Sequence, residues 1–178
     1  MLLNLSELLT IDGKERDYEA ALDEKEFRYR LGCYPIEQMS PVRIHIVHKG
    51  KRKLTLTGDY DVILKIPCSR CLEPVDWPIQ ESFEADVDLD MTDAERAEAL
   101  DEQPYVTGNE LDVDCLIQGE ILLNLPNKVL CSQECKGLCR VCGTNLNQNT
   151  CNCAGEESGN LRMSKFEEFF KANNFKEV

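Results

Sequence analysis

Apolar residues recur at every second position through much of the first half of the chain. Phe27, Tyr29 and Leu31 alternate with Arg28 and Arg30; Val42, Ile44 and Ile46 alternate with Arg43 and His45. Leu54 and Leu56 alternate with Thr55 and Thr57, and Tyr60, Val62, Leu64 and Ile66 share one face of the next segment. Successive strand side chains point to opposite sides, so this period predicts half-buried antiparallel strands. Gly50 and the pair Gly58-Asp59 are read as turns between them. Phe83, Ala85, Val87 and Leu89 alternate with Glu84, Asp86, Asp88 and Asp90, which predicts a strand with its acids in water. Near the start, Leu2, Leu3, Leu5, Leu8 and Leu9 fit either a short helix or an edge strand.

Three stretches carry helical signals. Thr92 followed by Glu95 is a capping-box pattern, predicting a short acidic helix to about Asp101. Asp112 or Asp114 caps a second helix to about Asn124, with Val113, Ile117 and Ile121 spaced by four and Leu116 and Leu123 beside them. Pro126 ends it, and Gly119 weakens it by roughly 1 kcal/mol. Ser164 and Glu167 form another capping box, opening a helix with the apolar stripe Phe166, Phe169 and Phe170. That stripe packs onto the body or docks a partner. A short polar linker, Ala154 to Asn160, precedes it.

Ten cysteines in 178 residues change the picture. Eight fall into close pairs: Cys68 and Cys71, Cys131 and Cys135, Cys139 and Cys142, Cys151 and Cys153. A two-residue spacing lets a tight turn aim both thiolates at one ion, and a structural zinc takes four such ligands tetrahedrally. Disulfides, an iron–sulfur cluster and a thioredoxin-like redox pair are the alternatives. The redox motif wants a helix start in a βαβ setting, whereas Cys68 and Cys71 lie between strands. Cys139, Cys142, Cys151 and Cys153 close locally. Cys131 and Cys135 are then left to meet Cys68 and Cys71 across the fold, giving two zinc ions. A single zinc drawn from the six distal cysteines is the rival. Cys33 and Cys115 are unpaired and read as small buried hydrophobes. The fold class expected is therefore α+β. It comprises an antiparallel strand-rich body with a few short helices over 1–126, a cysteine-rich zinc-binding segment over 127–155, and a linker and C-terminal helix over 156–178.

Charge adds a second clue. The net charge is −13, yet Glu73 to Glu120 holds sixteen acids against one base, Arg96. The remainder is slightly positive and includes the basic turn Arg43, Lys49, Lys51, Arg52 and Lys53. That turn reads as a solvated hairpin tip or as a phosphate-contacting edge that binds RNA. The acidic half suits a basic protein partner instead. No apolar run approaches the ~20 residues of a membrane helix. The leucine-rich start has no basic stretch ahead of it, which argues against a secretory signal. A cytoplasmic protein is expected, and a reducing compartment favours metal binding over disulfides. Nucleotide-binding and metalloprotease motifs are absent, and the two histidines, His45 and His48, lie far in sequence from the cysteines. All-cysteine ligand sets are the structural pattern, so the chain reads as a non-enzyme without a small-molecule substrate.

Three stretches together resemble the YceD family, the large ribosomal RNA subunit accumulation proteins of bacteria and plastids. They are Cys68-Ser-Arg-Cys71-Leu-Glu-Pro-Val75, Gly119-Glu-Ile-Leu-Leu-Asn-Leu-Pro126, and the run from Cys131 to Cys153 with its K-G-L-C and C-G-T-N-L-N words. The resemblance runs from about residue 15 to 155. It implies a role in making, processing or stabilising large-subunit (23S) ribosomal RNA, and supplies no catalytic site. The partner implied is a ribosomal protein or a large-subunit rRNA precursor. RNA contact would use the basic turn, with Lys136 and Arg140; protein contact would use the acidic surface. The reading without that resemblance is a zinc-stabilised interaction module with no ribosomal role.

Overall fold

The computed structural model describes residues 1–22, 24–30, 32–99 and 103–153. The linker from Ala154 to Asn160 and the helix expected from Ser164 lie outside them. The chain divides into two compact units. One is Met1–Pro67 with Pro74–Val129, and the other is Cys68–Glu73 with Leu130–Val178.

The first unit is built from antiparallel strands. β2 (Glu15–Ala20), β3 (Glu26–Tyr29), β4 (Gly32–Met39), β5 (Val42–Gly50), β6 (Lys53–Pro67) and β7 (Pro74–Asp88) form one six-stranded sheet. β6 is its axis. β5 pairs with Lys53–Asp59 and β4 with Val62–Leu64, while β7 pairs with the whole length of β6. β2 lies outside β5 and β3 outside β4. A smaller sheet joins β1 (Leu2–Asn4), β9 (Glu110–Asp112) and β8 (Val106–Thr107). The N-terminal leucines thus supply both a strand and a short 3-10 turn, Leu8–Thr10.

The Gly58-Asp59 turn does not form; the two flanking segments are one strand of 15 residues. Leu54, Leu56, Tyr60, Val62, Leu64 and Ile66 are all even-numbered and all buried, so the apolar face runs through Gly58 without a break. A Cβ at Gly58 would stand 2.5 Å from the Arg43 carbonyl oxygen and 2.6 Å from the Phe83 ring. The glycine is there to admit a close neighbour, a common role within strands. β7 also starts earlier than the alternation showed, because Pro74 and Pro78 mask its first half. Proline is tolerated on a strand paired along one edge only. Near Asp88 the other edge is covered: Arg96 donates to the Asp88 carbonyl and Gln103 to the Asp86 carbonyl at 2.8 Å.

Among the described residues there are two α-helices. α1 (Asp93–Ala99) carries the expected capping box. The Glu95 backbone N–H donates to Thr92 Oγ1 at 3.3 Å, and Glu95 Oε2 accepts from the Thr92 N–H at 2.8 Å. α2 (Val113–Leu123) is capped by Asp112, whose Oδ1 accepts from the Asp114 and Cys115 N–H groups at 3.1 and 3.3 Å. Val113, Leu116, Ile117 and Ile121 are buried. Leu123 is exposed instead of joining them, since it lies on the opposite side of the last turn. The unpaired cysteines also depart from expectation: Cys33 is exposed, with its sulfur 3.4 Å from Glu26 Oε2, and Cys115 is half-buried. Cys33 sits on β4 near the sheet margin, where no described residue buries it.

Candidate metal centres

The second unit gathers four loops around sulfur. Cys68–Glu73 is the connection between β6 and β7, and it folds with described residues from Leu130 to Cys153. The eight paired cysteines form two sets: Cys68, Cys71, Cys131 and Cys135; and Cys139, Cys142, Cys151 and Cys153. Within each, all four sulfurs lie within 4.8 Å of one another. The two-set grouping is the one observed, and the Cys68/Cys71 pair belongs to it. Cys68 Sγ is 3.8 Å from Cys135 Sγ, and Cys71 Sγ is 3.6 Å from Cys131 Sγ. A tetrahedron with metal–sulfur bonds of about 2.3 Å has edges of about 3.8 Å. A disulfide needs about 2.05 Å, and all ten cysteines are free thiols.

Local hydrogen bonds set the loops. In the Cys68 turn the Leu72 N–H donates to the Cys68 carbonyl at 3.0 Å; in the Cys139 turn the Gly143 N–H donates to the Cys139 carbonyl at 2.9 Å. Arg70 Nη1 donates to the Cys135 carbonyl at 2.7 Å, drawing the third loop onto the first. Donors also point at sulfur. The Cys131 N–H reaches Cys68 Sγ at 3.4 Å, Asn147 Nδ2 reaches Cys135 Sγ at 3.3 Å, and the Val141 N–H reaches Cys139 Sγ at 3.4 Å. Such donors stabilise thiolates and orient them, as outer-shell groups do around metal ligands. Asn145 Nδ2 and Gln148 Nε2 both donate to Glu73 Oε1, at 3.1 and 3.2 Å.

Ionisation shows the same crowding. The Cys71 and Arg70 N–H groups and Cys131 lower Cys68 to about 6 against burial. The Thr144 hydroxyl and N–H lower Cys142 to about 6. Cys71 is pushed up to about 12: the Glu73 N–H pulls it down, but burial and the three neighbouring sulfurs prevail. Cys153 is pushed to about 12 chiefly by Cys142. Four sulfurs this close do not all ionise unaided, and a divalent cation would relieve the repulsion. The donor set therefore fits a thiophilic metal. The sets differ in cover. In the first, Cys68, Cys71 and Cys135 are buried and Cys131 is exposed; in the second, Cys142 is exposed and its three partners are half-buried.

Asn147, Thr144, Arg70 and Glu73 are the site residues that cysteine spacing did not reveal. The C-G-T-N-L-N word contained two of them, Thr144 and Asn147.

The basic turn lies in the first unit. Lys51 (φ 50) and Arg52 (φ 53) form a two-residue hairpin turn. Three of its five bases are paired within the sheet region: Arg43 with Asp59 at 2.8 Å, Arg52 with Asp90 at 3.0 Å, and Lys53 with Asp88 at 3.0 Å. Among the described residues no ion pair engages Lys49 or Lys51. On the sheet's outer face the register aligns Glu15, Val47, Thr55 and Asp86 in one row, and Asp17, His45, Thr57 and Glu84 in the next. Glu19, Arg43, Asp59 and Ser82 form a third. A shallow cavity of about 660 Å³ opens there, lined by Asp17, Glu19, Arg43, His45 and Asp59 among others. His45 Nδ1 lies 2.7 Å from Asp17 Oδ1.

A family model described as "Large ribosomal RNA subunit accumulation protein YceD" matches residues 56–170. The chain belongs to the YceD family. The matched span encloses both cysteine sets and begins after the basic turn. Among YceD relatives, a protein of Arabidopsis thaliana is 30% identical over 159 residues, covering 69% of this chain and 49% of its own length. One of Zea mays is 25% identical over 150 residues, covering 64% and 49%. Both are named "Large ribosomal RNA subunit accumulation protein YCED homolog 1, chloroplastic". The chain spans about half the length of these relatives. No solved structure matches it significantly. No helix among the described residues is long and apolar enough to cross a membrane.

Proposed function

We propose that this chain is a non-enzymatic factor that sustains accumulation of large-subunit ribosomal RNA, acting by contact with a basic ribosomal protein. Membership of the YceD family carries the reading, since the matched span contains both cysteine sets. Each set holds one structural zinc ion: Cys68, Cys71, Cys131 and Cys135 at the first, and Cys139, Cys142, Cys151 and Cys153 at the second. Bound zinc supplies a cross-link between loops, and four thiolates leave it no open position for chemistry.

Charge supports a protein partner over RNA. Arg43, Arg52 and Lys53 already have carboxylate partners, so phosphate contact there must compete with them. The outer face of the large sheet exposes Glu15, Asp17, Glu19, Asp59, Glu84 and Asp86. That face repels a phosphate backbone and attracts lysine- and arginine-rich protein segments. Removal of the chain from its host tests the reading. The ratio of large- to small-subunit rRNA is expected to fall, and capture of the tagged chain after RNase treatment is expected to retain a ribosomal protein. An unchanged ratio refutes the role, and complete loss of the ribosomal protein on RNase treatment turns the contact toward RNA.

A further inference from the structure

The turns at Cys68 and Cys139 are two copies of one device, and they differ at one revealing place. Leu72 follows Cys71 as Gly143 follows Cys142, and each donates its N–H back to the first cysteine's carbonyl. Both sit at positive φ, +63° for Leu72 and +74° for Gly143. Glycine takes that conformation freely, whereas a leucine there strains its Cβ against the backbone. Burial does not compensate for the strain, because Leu72 is 64% exposed. Its neighbours have hydrogen-bond partners: Arg70 donates to the Cys135 carbonyl, and Glu73 accepts from Asn145 and Gln148. An apolar side chain held in a disfavoured conformation and left in water marks a surface with another use.

We propose that Leu72 is the apolar anchor through which the first cysteine turn docks onto a basic protein. The proposal rests on the function proposed above and names the contact. Leucine has no π-face for a base to stack on and no donor for phosphate, so its gain on binding comes from an apolar protein pocket. The adjoining thiolate set, loaded with a divalent ion, carries two net negative charges, because four thiolates outweigh one dication. A basic rim around that pocket complements it.

Two measurements test this on the full chain. Leu72→Gly relieves the strain, so its melting temperature and zinc content are expected to equal or exceed those of the wild type. In cells lacking the wild-type chain it is expected to lose at least half of the rescue of large-subunit rRNA. A lowered melting temperature, or full rescue, overturns the inference. The second measurement places a benzophenone amino acid at position 72 in living cells. A discrete adduct with an identified basic protein is expected. An RNase-sensitive adduct, or none from a variant with normal zinc content, overturns the proposal. If deletion leaves rRNA unchanged while the position-72 adduct forms with a basic protein outside the ribosome, the anchor stands and the ribosomal role fails. If deletion lowers rRNA and no adduct forms, the role stands and the anchor fails.

Discussion

Cys68 Sγ and Cys135 Sγ lie 3.8 Å apart across 67 positions of sequence. That distance makes the first cysteine set a long-range closure, and it fixes the expected metal count. The purified chain should carry two zinc ions by elemental analysis. Cys68→Ser/Cys71→Ser should leave one, as should Cys139→Ser/Cys142→Ser. Each loss should unfold the loops it held, because structural zinc contributes about 10–16 kcal/mol of apparent binding free energy in zinc-finger peptides. Chelator should remove the two ions in separate phases, the exposed Cys142 set first. A wild-type ratio near one sinks the two-site assignment.

Gly58 faces both the Arg43 carbonyl and the Phe83 ring. Gly58→Ala should destabilise the first unit by about 1–3 kcal/mol, the usual range for overpacking. Phe83→Leu in the same chain should not restore stability, since the carbonyl contact at 2.5 Å remains. Denaturant midpoints of the single and double variants decide this, and full recovery would place the clash at the ring alone.

Asp112 ends β9 and caps α2 with one carboxylate. Its replacement by alanine should cost about 1 kcal/mol, and by asparagine much less, because the amide oxygen still accepts from the helix N-terminus. Urea midpoints check the order. Equal losses for the two variants would point to charge rather than the hydrogen bond.

The Lys53 ammonium hydrogen-bonds Asp88, and with the Asp90 N–H it holds that carboxyl below its usual range. A folded-state pKa below the unfolded one adds stability above the unfolded value of 3.8, and that stability drains away as pH falls through the lower folded value. Lys53 is exposed and Asp88 partly so, and solvent screening keeps the pair's worth under about 1 kcal/mol. Asp88→Asn should flatten the stability curve below pH 4, as read from thermal unfolding across pH. A curve that steepens in the variant contradicts the assignment.

The proposed partner makes the two faces of the charge map behave differently. Asp17→Lys/Glu84→Lys should lower large-subunit rRNA toward the level of cells lacking the chain. Lys49→Ala/Lys51→Ala should leave it unchanged, although those two lysines are the bases of the turn without carboxylate partners among the described residues. The reverse outcome would hand the contact to RNA, and binding should then weaken steeply with salt.

Much of this was legible in particular residues. The even-numbered apolar run of β6, the Thr92 and Asp112 caps, and the four cysteine pairs are local signals: alternation, capping and spacing depend on neighbours within a few positions. Gly58 misled because a glycine in sequence looks the same whether it turns the chain or makes room. Only the approach of Phe83 and the Arg43 carbonyl tells the two apart. Cys33 misled because a thiol's burial depends on what covers it, and among the described residues it is left exposed. The prolines of β7 hid half a strand, since their tolerance depends on which edge is paired.

By itself the sequence determined that cysteines come in pairs, that strands alternate, and that acids crowd the stretch from Glu73 to Glu120. Those are properties of order and spacing along one dimension. Tertiary structure decided which pairs share a centre, that three of the basic turn's five charges are already matched, and that Leu72 stands strained and exposed where its counterpart is Gly143. Each depends on a distance or a torsion between groups that the chain's order does not set.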